Sequence, residues 1–163
     1  MDLKEVVERA IEPALALLPA RMDTPAARVM LLAIGLQESR FVHRRQIGGS
    51  ARGFWQFEKS SRASRGGVWG VCLHPASKGH LAVLCKARSV ACDPDAIYAA
   101  LEYDDVLAAG VARLLLWTDP KSLPQVGDTE ATWSLYQRTW RPGKPKPDSW
   151  STLYRQAAAE VGG

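Results

Sequence analysis

The sequence predicts a mainly α-helical domain carrying a small β-hairpin lobe. Three observations lead there: apolar residues recur at helical spacing, Thr-Pro and Asp-Pro pairs mark helix starts, and one glycine-rich stretch separates two short extended pieces. No segment repeats, and no proline- or serine-rich linker divides the 163 residues, so a single domain over 1–163 is expected.

Taken in order, Leu3 to Leu18 places Val6, Val7, Ala10, Ile11, Ala14, Leu15 and Leu18 on one helical face, with Pro13 expected to kink or divide it. Thr24 followed by Pro25 reads as an N-cap with proline at the first helical position, opening a helix to about Arg40. His43 to Phe57 changes texture, and the glycines at 48, 49 and 53 between short extended pieces predict the hairpin lobe. Val68 to Leu73 reads as irregular, and Ala76 to Ala87 as a helix introduced by Pro75. Asp93-Pro94 opens a long helical region to about Trp117, closed by Asp119-Pro120. Further helices are expected over Thr129 to Thr139 and Trp150 to Ala159, separated by the proline-rich run Arg141 to Pro147.

Composition narrows the classes. With 47% hydrophobic and 23% charged residues the chain is ordinary globular material, which excludes disorder and fibrous repeats. The net charge of +4 favours a polyanionic partner: nucleic acid, anionic membrane or bacterial cell wall. The basic residues are scattered, and no helix-turn-helix, zinc-finger or aromatic-basic motif points to specific nucleic acid binding. The longest apolar run, Val29 to Leu36, is too short to span a bilayer, and Met1 to Glu5 lacks the start of a signal peptide. Cys72, Cys85 and Cys92 lie 13 and 7 residues apart with no Cys-x-x-Cys pair, which argues against zinc and leaves buried free thiols or one disulfide open. No metal and no cofactor is expected.

Glu38 is the residue on which chemistry is expected. It follows the apolar run near a helix C-terminus, with Ile34 and Gly35 one turn back, so its own face is apolar or empty. Desolvation and the negative helix end both disfavour the anion, raising the pKa as a proton donor near neutral pH requires. An arbitrary glutamate at such a place is more often solvated and paired, here with Arg40 or Arg44.

The surrounding motif adds to this. Gln37-Glu38-Ser39-Arg40-Phe41, followed by Ser50-Ala51-Arg52-Gly53-Phe54-Trp55-Gln56, resembles the lytic transglycosylase family and the related goose-type lysozymes. There a Glu-Ser pair ends a buried helix and a Gly-Ala-Arg-Gly-Leu-Met-Gln stretch follows. Ala131 to Gln137 is similar to the family's Ala-x-x-x-Tyr-Asn block, with Gln137 in place of asparagine. The resemblance covers roughly 30–141. It implies a lysozyme-like fold flanking a saccharide cleft, and cleavage of the β-1,4 bond between N-acetylmuramic acid and N-acetylglucosamine in peptidoglycan glycan strands.

By the same resemblance Glu38 is the general acid and base. Tyr136 orients it, or is a half-buried core tyrosine; Ser39 caps the helix or orients the acid, or is a plain exposed serine. Gln56 and Trp55, with Trp140, contribute to the cleft, and Gln137 takes the asparagine's contact. No acidic residue lies between Glu38 and Gln56; Glu58 is the nearest in sequence, and Glu102, Asp104 and Asp105 approach only through the fold. A two-carboxylate glycosidase holds its carboxyls about 5 to 9 Å apart, so a one-carboxylate transglycosylase is favoured over a hydrolytic muramidase. A non-catalytic virion or wall-binding protein keeping the fold is the competing class. The run Trp140 to Pro145 looks like phage-borne members of the superfamily, which implies an endolysin made in the cytoplasm and released by a holin-type partner, or a lysin carried in a virion.

Overall fold

A computed structural model describes residues 1–163. Helix accounts for 60% of the chain and no sheet forms, so the mainly α class holds. The first segment shows what one proline does. Leu3–Val6 (α1) starts with a capping box in which Asp2 and Glu5 each accept the other's backbone N–H, at 2.8 and 3.1 Å. Val7–Ile11 is a π turn and Glu12–Ala16 is α2. Pro13 offers no N–H to the Arg9 carbonyl and crowds it, and the wider turn absorbs that misfit. The segment therefore bends without breaking and ends before Leu18. A 3-10 turn, Ala20–Met22, follows.

Pro25–Ser39 (α3) begins as its sequence requires: Thr24 Oγ1 accepts the Ala27 N–H at 3.1 Å. Of the ten positions from Ala27 through Leu36 all but Arg28 are buried, so α3 is the central rod of the domain, apolar on nearly every side. Beyond it come Gly67–Leu73 (α4), Lys78–Ala87 (α5), Pro94–Leu101 (α6), Asp105–Trp117 (α7), Thr129–Trp140 (α8) and Pro147–Gly162 (α9). α9 packs along α3, while α7 packs on the π turn, α2, α4 and α5. One connected hydrophobic core joins all of these, and no helix is long and apolar enough to cross a membrane.

Four expectations need correction. The hairpin lobe is absent: residues 43–57 form turns tied by two isolated antiparallel bridges, Arg45 to Arg52 and Arg52 to Phe57. Left-handed backbone at Gly48, Gly53 and Gln56 turns the chain too often for a ladder to grow. The stretch 68–73 is helical, because Val68 and Val71 bury one turn apart against the core and that packing overrides its glycines. The expected helix from Asp93 to Trp117 is divided at Glu102 to Asp104; Asp104 leaves helical geometry and accepts the Leu107 N–H at 2.9 Å, capping α7. The last helix starts earlier than expected, with Pro147 in its first turn.

The three cysteines are free thiols, not a disulfide. Burial pushes Cys72 up to about 11 and Cys85 up to about 12, so both stay protonated at neutral pH.

Candidate active site

The end of α3 is shaped by an unusual turn. Arg40 and Phe41 both adopt left-handed backbone, φ 57° and 56°, at a cost of roughly 1–2 kcal/mol each. The return is that Phe41, 1% exposed, folds back over Gly35, where a Cβ would lie 2.1 Å from the ring. Burying a phenylalanine contributes about 1.5–3 kcal/mol, and Ser39 helps: its Oγ donates to the Phe54 carbonyl at 2.6 Å and accepts the Phe41 N–H at 3.1 Å. With the chain reversed this tightly, the preceding residue, Glu38, is left at the wall of an open cleft of about 760 Å³.

Within that cleft Glu38 meets Tyr136 of α8, whose hydroxyl donates to Oε2 at 2.5 Å. The tyrosine is fixed by aromatic packing: its ring stacks on Trp150 at 5.0 Å and 10°, with Trp133 at 5.5 Å. The Glu38 pKa is raised, mainly by burial and further by the charge of Glu58, against lowering from the Tyr136 hydrogen bond and from Lys146. Burial and the adjacent carboxylate raise the Tyr136 pKa strongly, so the phenol keeps its proton and acts only as a donor.

Glu58 lines the same cleft, and its carboxylate accepts from Ser50 Oγ at 2.5 Å. It and Glu38 are the acidic residues of the lining. Glu102, Asp104 and Asp105 are instead engaged by Arg45, Arg88 and Arg44 outside the cleft.

The other expected site residues divide. Gln56 lines the cleft in left-handed backbone, φ 50°, with Nε2 donating to the Gly53 carbonyl at 2.9 Å. Trp140 also lines it, its Nε1 donating to the Trp55 carbonyl at 2.9 Å. Ser39 is buried behind the wall, not in it, holding the α3 turn. Trp55 is corrected from cleft residue to core residue: it is fully buried, donates from Nε1 to the Leu31 carbonyl at 2.8 Å, and meets Phe41 edge-on. Because neighbouring side chains leave the turn in opposite directions, Gln56 faces the cleft and Trp55 the core. Gln137 is exposed and outside the cleft lining, since one helical step from Tyr136 rotates it about 100° away.

Two features were not anticipated. Gln37 fastens the start of α9 beside the acid, donating to the Lys146 carbonyl at 3.0 Å and accepting from Ser149 Oγ at 2.9 Å. Arg141, Lys144 and Lys146 form a basic lip on the cleft, reached through the left-handed turn at Arg141, φ 50°. Comparison with protein-family models, with curated proteins and with solved structures returned no match.

Proposed function

We propose that this chain cleaves the β-1,4 glycosidic bond between N-acetylmuramic acid and N-acetylglucosamine in peptidoglycan, with Glu38 as general acid and then base, as a lytic transglycosylase. The observation that carries the reading is a desolvated carboxyl of raised pKa, oriented by a tyrosine, in the wall of an open polar cleft. In the first step the Glu38 proton passes to the bridging oxygen as the bond to the muramic anomeric carbon breaks. In the second the Glu38 carboxylate takes the proton of the muramic 6-hydroxyl as that oxygen bonds the anomeric carbon, giving an anhydro end and restoring the acid. The basic lip suits the anionic bacterial wall, and a phage lysin, reaching the wall through a holin-type partner or in a virion, is the setting this chemistry fits.

Hydrolysis is the second reading, favoured by one observation: Glu58 stands in the same cleft. Water then replaces the 6-hydroxyl, with Glu58 as the second carboxylate.

Glu38→Gln tests the reading on purified sacculi. Loss of clearing by about 10²–10⁴-fold, the usual worth of a general acid, is expected. Equal clearing by both proteins removes Glu38 from the chemistry, and no clearing by the unaltered chain returns it to the class of non-catalytic binding proteins.

A further inference from the structure

Arg113 of α7 is 2% exposed, and its Nε donates to the Met22 carbonyl at 2.9 Å. Its Nη1 is the one buried side-chain nitrogen or oxygen in the chain without a hydrogen-bond partner. No carboxylate pairs with it. Asp23, the acid that acts on it electrostatically, is held by Arg28 through two bonds of 2.9 and 3.1 Å. Asp119, on the same cavity wall, is held by Arg138 at 3.1 and 3.2 Å. Burial pulls the Arg113 pKa down to about 10 against a smaller opposing pull from Asp23, and the group is still cationic at neutral pH.

Arg113 lines a second cavity of about 880 Å³, separate from the Glu38 cleft. Arg21 and Lys121 add two more cations to its wall. The guanidinium carbons of Arg21 and Arg113 lie 5.5 and 5.4 Å from the ring centroid of Trp117, which also lines it. His74 also lines the cavity and accepts the Ala76 N–H on Nδ1 at 3.0 Å, which leaves Nε2 as its donor nitrogen.

We propose that this cavity binds a carboxylate ligand with an apolar body, the carboxylate on Arg113 flanked by Arg21 and Lys121, the body on Trp117 and Leu123. The Arg113 guanidinium is hydrogen-bonded only through Nε, its planar donor set matches a carboxylate, and the ligand supplies the direct ion pair and acceptor that the fold withholds. A monoanion suits one desolvated cation; a phosphate dianion brings surplus charge into the same site. The carboxylate has two sources. It is a free small acid, or the C-terminus of a peptide branch reaching over from the cleft. A shallow hollow makes the second route available: it shares Thr139 and Arg141 with the cleft, and His74 and Asp119 with the cavity.

Calorimetric titration of the full chain with benzoate, benzyl alcohol, inorganic phosphate and an alanine-terminated tetrapeptide, its C-terminus free or amidated, tests this. Benzoate is expected to bind at least about ten-fold more tightly than benzyl alcohol, and Arg113→Gln to weaken benzoate by about ten-fold or more. Benzoate no tighter than benzyl alcohol, phosphate tighter than benzoate, or unchanged binding in Arg113→Gln overturns the assignment. If Arg113→Gln does not fold, the Arg113 Nε–H resonance of the unaltered chain must shift with benzoate, and a silent resonance overturns it equally. Binding of the free but not the amidated peptide, in competition with benzoate, assigns the peptide source; no peptide binding assigns the free acid; equal binding of both peptides overturns the carboxylate. Benzoate affinity does not involve Glu38, so it stands or falls apart from glycan cleavage.

Discussion

The Tyr136 hydroxyl donates to Oε2 of Glu38 at 2.5 Å, joining the end of α3 to the middle of α8 across 98 residues of sequence. The bond works against burial: it favours the carboxylate, while desolvation favours the acid and wins. Glu38 is thus held in one orientation without being trapped as an anion.

Tyr136→Phe removes the donor and keeps the stacked ring. Catalysis is expected to fall about 10–100-fold through lost orientation. The Glu38 pKa rises further, so the high-pH limb of the rate profile, set by loss of the acid's proton, moves to higher pH. A profile of sacculus clearing against pH for both proteins checks this, and an unmoved limb separates the tyrosine from the acid.

Glu58→Gln removes a negative charge that raises the Glu38 pKa, so the same limb is expected to move to lower pH. In the transglycosylase reading, turnover at the new optimum changes less than about ten-fold, since no step needs a second carboxylate. Collapse by about 10²-fold or more assigns Glu58 a catalytic part and the hydrolytic reading with it.

Stability carries a signature of the same proton. The folded state raises the Glu38 pKa above its ordinary 4.5, so the unfolded chain releases that proton more readily. This contribution to stability is full below 4.5 and is lost as pH rises through the raised value. Glu38→Gln escapes the loss and is expected to melt higher at neutral pH, by about 2–4 °C for each 1 kcal/mol gained. The advantage disappears in acid. Calorimetric melting at both pH values checks the sign.

Ser39→Ala tests the turn behind the acid. It leaves the Phe54 carbonyl and the Phe41 N–H without their buried partner, costing roughly 1–3 kcal/mol. Chemical denaturation measures the loss, and an unchanged midpoint shows that the serine does not hold the turn.

Much of this was legible in the sequence where the signal is local. Thr24-Pro25 and Asp93-Pro94 start α3 and α6 as read, because a side-chain oxygen and a fixed φ act within one turn. The apolar run ahead of Glu38 pointed to its desolvation, whereas the residues around Tyr136 left an orienting hydroxyl and a core tyrosine equally open. What was not legible depends on distant packing. Apolar spacing runs on from Ile97 to Leu116, and the break at Asp104 was hidden because its carboxylate caps α7 while Arg88 holds it. Trp55 and Gln56 are adjacent, and only the left-handed turn decides which one reaches the cleft. Gly66, Gly67 and Gly70 masked α4, which core contact imposes.

The most direct measurement is mass spectrometry of the soluble fragments released from purified sacculi by the unaltered chain and by Glu38→Gln. Fragments ending in anhydro-muramic acid from the unaltered chain, with none from Glu38→Gln, are expected. Release of the same fragments by both proteins contradicts the assignment of the proton to Glu38.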